Sequence, residues 1–205
     1  MGLHQTLLQR CTVHDYSSEP VKPAAIRRAI QCALAAPNHK LTEPWRFVQV
    51  GPATRQQLAE VAVREKARKV LRSKGEVLET ELHEVLREDV ITRTRDKVLT
   101  PAVLLAVLRQ RVSADDLAAF DFTAREDYAA VACAIQNLSL SLHEDGLGSK
   151  WSTGSVTSCQ ETYSLFGIDP SVQEIVGFLW VGVPKHAASK ARRRLGVDEV
   201  LRHLP

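Results

Sequence analysis

Arg10 and Thr12 stand two residues apart, a short step before an aromatic at Tyr16. An arginine fork beside a hydroxyl suits the oxygens of a phosphate. The same pair also suits the capping and solvation of a helix end. A second polar group, His39, Lys40 and Glu43, lies between Pro37 and Pro44. Polar side chains on a rigid loop between a helix and a strand are placed to touch a ligand, although a loop histidine is also an ordinary surface residue. Trp151-Ser152-Thr153-Gly154 follows Gly146-Leu147-Gly148. Glycine lets backbone N–H groups approach a ligand closely, and the alternative is a plain helix-to-loop turn with a packed Trp. Lys190 and Arg192, in a basic tail, complete the set of side chains able to meet an anion.

The elements around these groups are readable from periodicity. Leu7 and Leu8 fit the apolar face of a short N-terminal helix ending at the Arg10 to Tyr16 segment, read as turn or extended chain. Pro23 opens a helix in which Ile26, Ile30, Ala33 and Leu34 recur until Pro37 stops it. Trp45 to Val50 reads as a strand closed by Gly51-Pro52. Thr54 is a candidate cap for the next helix, with Leu58, Val61 and Ala62 inward. Residues 65 to about 97 look helical and polar, the pattern of a solvated cover or a dimer arm. The cations Arg64, Lys66, Arg68, Lys69 and Arg72 fit the solvated face there. Ala102 to Leu108 is a buried strand. Ser113 to Asp116 is loop or a weak helix start.

A long amphipathic helix runs from about Glu126 to Glu144, with Tyr128, Val131, Ile135, Leu138 and Leu142 inward and Asp145-Gly146 as its stop. Trp151 to Gly154 reads as turn, Ser158 to Phe166 as helix, and Ile175 to Val183 as a central strand. Helices alternating with a few buried strands give an α+β or α/β content.

The bulk properties narrow the function. At 205 residues the chain holds one sizeable core and is short for two. A hydrophobic fraction of 44% and a charged fraction of 25% are ordinary globular values. A net charge of +3 is too small to argue for nucleic acid, and no aromatic stripe alternates with basic residues to make a stacking platform. Cys11, Cys32, Cys133 and Cys159 show no C-x-x-C or metal spacing, which fits reduced thiols in a cytoplasmic protein. No apolar leader or membrane-length run is present. The loose myristoylation match at Gly2 and the Asn137-Leu138-Ser139 sequon carry no weight, the latter because it lies inside a periodic helix. Walker, Rossmann, H-E-x-x-H and G-x-S-x-G patterns are missing.

Taken in order, the polar groups resemble the FMN-dependent nitroreductase family, most closely its small, minimal-type branch. The family's loop reads Ala-Pro-Ser/Asp, a few polar residues, then Gln-Pro-Trp. Here the run is Ala36-Pro37-Asn38-His39-Lys40, then Glu43-Pro44-Trp45. Arg10 and Thr12 resemble the family's Arg-x-Ser, with Tyr16 and Glu19-Pro20 after it. Gly146-Leu147-Gly148 with Trp151 and Thr153-Gly154 resembles its helix end and turn, and Lys190-Ala191-Arg192 its C-terminal Lys-x-Arg. The likeness covers residues 8 to 50, 99 to 108 and 126 to 203.

That resemblance implies one nitroreductase-like α+β domain over residues 1 to 205, a small mixed sheet wrapped by helices, with residues 65 to 97 as a variable segment. It implies an intertwined homodimer with FMN at the interface. NADH or NADPH would be the electron donor and a small oxidised molecule, such as a nitroaromatic or quinone, the acceptor. Nucleic acid, membrane and metal are not expected partners. The cofactor residues it implies are Arg10, Cys11, Thr12, His14, Ser152, Thr153, Gly154, Lys190 and Arg192, with His39 and Glu43 reaching across from the other subunit. No protein nucleophile or base is required, because the flavin carries the redox chemistry. Cys11, His14, Leu41 and Glu43 depart from common family residues, which leaves open a flavin-binding or regulatory module of the same fold with reduced turnover.

Overall fold

A computed structural model describes residues 2–75, 82–111, 117–186 and 195–204. Among them four strands form one sheet in the order β1-β2-β4-β3, with β1 Trp45–Gln49, β2 Val103–Gln110, β3 Gly148–Ser152 and β4 Gln173–Gly182. All three pairings are antiparallel. The parallel element is a bridge between Thr12 and Ser149 outside the named strands.

Helices cover both faces, because the two central strands are apolar on both. On one face α2 (Pro23–Leu34) and α6 (Leu117–Glu144) bury Ile26, Ala33, Ile135, Leu138 and Leu142 against Val103, Leu105 and Val107 of β2. On the other face Leu58 and Ala62 of α3 (Pro52–Lys74) and Tyr163 of α8 (Gln160–Phe166) meet Leu104, Ala106 and Leu108. A bulge in β4 makes this possible. Val107 pairs with Gly177 but Leu108 with Ile175, so Val176 is the extra residue. Ile175 and Phe178 accordingly face one core while Val176 and Leu179 face the other.

Pro23 sits at the first turn of α2, as expected, and Gly146 stops α6 with a φ of 76°. Several expectations need correction. In α1 (Leu3–Gln9) the buried residue is Thr6, while Leu7 and Leu8 are exposed. Leu34 and Tyr128 are likewise exposed despite their periodic positions. Helix α3 is capped at Gly51 with Pro52 at its first turn, which places Thr54 inside the helix. It runs unbroken to Lys74, where Gly75 ends it, so the polar segment beginning at 65 is its second half. Arg64 and Arg68 are not purely solvated, since both hold Glu161, and Arg68 also holds the buried Glu65.

Two short helices precede β2, α4 (Leu82–Val85) and α5 (Glu88–Leu99), and α5 packs on α3. Helix α6 begins at Leu117 rather than Glu126, because its first turns lack the apolar period. Residues Trp151 and Ser152 belong to strand β3 instead of a turn. The expected helix 158 to 166 is two, α7 (Ser155–Ser158) and α8, divided at an extended Cys159. A last turn, α9, spans Val197–Val200. The Ser113 to Asp116 expectation lies outside the described residues. No helix among the described residues is long and apolar enough to cross a membrane.

Candidate functional site

The Arg10 to Tyr16 segment leaves α1 extended and crosses the free side of β3. Val13 N donates to Ser149 O at 3.1 Å, and Ser17 N to Val183 O at 2.9 Å. Lys185 N donates to Asp15 O at 3.0 Å. Two glycines give it room. A Cβ on Gly148 would lie 2.6 Å from Val13 Cγ2, and one on Gly182 would lie 2.8 Å from Tyr16 Cδ1. The Tyr16 hydroxyl, buried at the crossing, donates to Val13 O (2.9 Å) or Trp180 O (3.3 Å). Burial, with Asp15 close by, pushes its pKa well above the ordinary phenol value.

This crossing forms one wall of a cavity of about 360 Å³. His14 and Asp15 line it from the crossing, Lys185 from the chain after β4, Arg93, Asp96 and Lys97 from α5, and Lys150 from β3. Arg93 is ion-paired with Asp89, but Lys97, Lys150 and Lys185 have no carboxylate partner among the described residues. Burial and the neighbouring charge of Lys97 lower the pKa of Lys150. Three unpaired ammonium groups against the carboxylates of Asp15 and Asp96 favour an anionic ligand. The cavity floor includes Trp180, whose buried indole N–H meets no acceptor among the described residues.

Of the residues marked in the sequence, His14 lines this cavity, with half-buried Arg10 and Cys11 and exposed Thr12 in the same crossing segment. The Arg10 guanidinium has no hydrogen bond or ion pair among the described residues, leaving it free for a ligand. Ser152, Thr153 and Gly154 lie at the far end of β3, where Ser152 pairs with Phe178. Gly154 adopts φ 144° and ψ −169°, a conformation open essentially to glycine alone, and starts α7. Lys190 and Arg192 lie outside the described residues.

The His39 to Glu43 loop is built differently. Lys40, Leu41 and Glu43 all have positive φ, at 58°, 53° and 44°. Each costs on the order of 1 kcal/mol for a residue with a Cβ. Asn38 holds the loop against this strain: its Oδ1 accepts from Glu43 N at 2.7 Å and its Nδ2 donates to Thr42 Oγ1 at 3.0 Å. The Thr42 hydroxyl passes the chain on to the buried Asp127 at 2.6 Å. His39 and Glu43 point no bond inward, and Leu41 is 83% exposed. Arg46 bonds the backbone carbonyl of Glu43 at 2.9 Å, and the Glu43 carboxylate takes no partner among the described residues.

Sheet register separates the two groups. Trp45 pairs with Arg109 at one end of β2, while Gly148 pairs with Gly182 beyond the other end, and β1 and β3 are the outermost strands. The loop and the crossing are thus at opposite corners, about 14 Å across and roughly 20 Å along the sheet. One chain does not bring them together.

Arg93, Asp96, Lys97, Lys150 and Lys185 are not among the residues that the sequence motifs mark. Arg93 to Lys97 lie in the polar segment that reads as a solvated cover or a dimer arm. Lys150 stood in plain view between Gly148 and Trp151, where a cation inside a glycine-rich motif was the available signal.

The sequence pattern of the nitroreductase family matches residues 7–183. YfhC of Bacillus subtilis (strain 168), described as a candidate NAD(P)H nitroreductase, is 28% identical over 191 residues, covering 93% of this chain and 89% of YfhC. Among solved structures, a nitroreductase-like family protein from Bacillus cereus aligns with TM-score 0.78 at 22% identity, over 100% of this chain and 96% of the other. A variant of NfnB from Sphigopyxis sp. strain HMH, described as an FMN and NADPH-dependent nitroreductase, aligns with TM-score 0.73 at 17% identity, over 99% of each chain. These two structural likenesses bear on the fold, and the match over residues 7–183 on ancestry: the chain belongs to the nitroreductase family.

Proposed function

We propose that this chain is a homodimeric FMN oxidoreductase that passes electrons from NADH or NADPH to an oxidised organic acceptor of the nitroaromatic or quinone type. The observation that carries the reading is the cavity beside the Arg10 to Tyr16 crossing, with three lysines that lack carboxylate partners among the described residues. Its charge fits a phosphorylated ligand whose ring gains electrons, and Gly148 and Gly182 let the crossing segment that walls it pack closely on the sheet. When bound, FMN supplies hydride acceptance from the nicotinamide and delivery of electrons to the acceptor.

The protein's part is binding, orientation and electrostatics. Arg10 and Thr12, with Lys190 and Arg192, hold the phosphate, and Cys11 contributes through its backbone. Lys97, Lys150 and Lys185 set a positive field in the cavity, and His14 lines it. The Ser152 to Gly154 turn contacts the ring edge. His39 and Glu43 come from the partner subunit, which accounts for a strained, exposed loop at the corner of the sheet away from its own chain's crossing segment. No side chain is assigned as acid, base or nucleophile.

The visible spectrum of the purified protein after FMN addition, followed by NADH and NADPH oxidation with a quinone or a nitroarene, tests this. Flavin bands at stoichiometric occupancy and acceptor-dependent oxidation are expected. Occupancy without oxidation by either donor would favour a binding module, and no occupancy would overturn the reading.

A further inference from the structure

We propose that Arg55 is a positioning residue for the cavity, acting from α3 through the junction of α5 and β2 that carries Lys97. The inference rests on the reading of that cavity as the flavin site. Its geometry is specific. One half-buried guanidinium donates to four successive-region carbonyls: Nη2 to Val98 O at 2.8 Å, Leu99 O at 2.8 Å and Pro101 O at 2.6 Å, and Nη1 to Ala102 O at 3.5 Å. Nε adds a second contact to Val98 O at 3.3 Å.

The same stretch faces the cavity from its other side, where Lys97, Thr100 and Pro101 line the wall. Residues 97 to 102 thus give Lys97, Thr100 and Pro101 to the cavity wall and the carbonyls of Val98, Leu99, Pro101 and Ala102 to Arg55. Val98 O and Leu99 O belong to the last turn of α5, where a helix leaves its carbonyls without partners, and Pro101 O and Ala102 O follow it. Arg55 has no carboxylate among the described residues, and burial lowers its pKa. Its charge is balanced instead by the aligned carbonyl dipoles at the end of α5.

A glycine cap would also end α5, but it would leave the turn free to choose its path. A planar fork on four carbonyls fixes that path, and with it the distance of Lys97 from the ligand. Lysine cannot repeat this, because its single ammonium does not span the set.

The test is a double-mutant cycle on the full chain, read as FMN dissociation constant by flavin fluorescence at low and high salt. Arg55→Met is expected to weaken FMN on the order of ten-fold and to flatten the salt dependence as Lys97→Met does. The double variant should bind within about two-fold of Lys97→Met alone, since the two residues act in series. Arg55→Lys should fall between wild type and Arg55→Met, and Arg55→Gln takes the place of Arg55→Met in the cycle if the latter does not fold. Wild-type affinity in a folded Arg55 variant whose Lys97→Met counterpart binds weakly would overturn the positioning role. So would losses that multiply in the double variant, which is the behaviour of a merely structural arginine. Unchanged affinity and salt dependence in Lys97→Met would instead bring down the cavity reading, and this proposal with it.

Discussion

The indole of Trp151 lies on the α-carbon of Gly177, so close that a Cβ there would stand 2.2 Å from Nε1. Gly177 adjoins the β4 bulge at Val176, and the Ser152 carbonyl would be only 3.0 Å from the same added atom. The glycine thus seats both the tryptophan and the end of β3 that leads into Ser152 to Gly154. Gly177→Ala should displace the indole and cost about 1–3 kcal/mol, the range for overpacking. Urea unfolding measures the cost, and a shift in Trp151 emission reports the displacement. Unaltered stability and emission would mean the indole has another seat.

This relationship marks the boundary of what the sequence could tell. Pro23, the Ile26 and Ala33 face and the apolar run in β2 are local signals, and they place α2 and β2 where the structure has them. Strand β3 is a five-residue edge with three polar residues, so its pairing with β4 decides its form and local pattern does not. The crossing of Tyr16 over Gly182 joins residues far apart in the chain, and no periodicity announces it. Arg93 and Lys97 look like a solvated face in isolation; they become a cavity wall only because α5 packs on α3 beside the crossing. Arg10, His14 and the strained loop are legible as candidates because their order and spacing resemble the family's motifs, while each alone also reads as an ordinary helix end or surface loop. Their separation to opposite corners follows from strand order and register.

Tyr16 sets an alkaline limit. Its folded pKa is raised by burial first and by Asp15 second, so above about pH 10 the unfolded chain loses a proton that the native state keeps. Stability from this residue is fully present below that pH and falls as pH rises through the folded value, by at most about 1.4 kcal/mol per unit. Tyr16→Phe should be less stable at pH 8, through the lost bond from the buried hydroxyl to Val13 O or Trp180 O, yet decline less between pH 10 and 11. Denaturant titrations of both proteins at three pH values check this, and parallel declines would refute it.

Arg10 should matter to the ligand and not to the fold. Its guanidinium has no partner among the described residues, so Arg10→Ala is expected to stay within about 0.5 kcal/mol in stability. Its FMN affinity should fall by on the order of 1.5–3 kcal/mol, the range for hydrogen bonds to a charged group. Equal affinity in the folded variant would remove Arg10 from the phosphate.

Dimer and flavin should stabilise each other if the crossing of one chain and the His39 to Glu43 loop of the other make one site. Sedimentation of dilute protein with and without FMN measures the coupling. A monomer that binds FMN as tightly as the dimer would contradict it.

Glu43 gives the sharpest expectation, because its carboxylate is both exposed and without a partner among the described residues. Arg46, the nearby cation that could have neutralised it, is occupied with the backbone carbonyls of Glu43 and Trp45. The φ of 44° and the bond from Glu43 N to Asn38 fix the direction in which the side chain leaves the loop. Placed at a flavin's polar edge, an ionised carboxylate can only accept, for example from a ring N–H. It also opposes negative charge added to that edge on reduction. The result is either a lower midpoint potential or uptake of a proton by Glu43 on reduction, since a like charge raises a carboxyl pKa. Glu43→Gln keeps the length and the backbone conformation, removes the charge and adds a donor. It should therefore raise the midpoint potential and flatten the part of its pH dependence that Glu43 contributes. Spectroelectrochemical titration of both proteins across pH decides the matter: identical midpoints throughout would mean that Glu43 does not face the flavin.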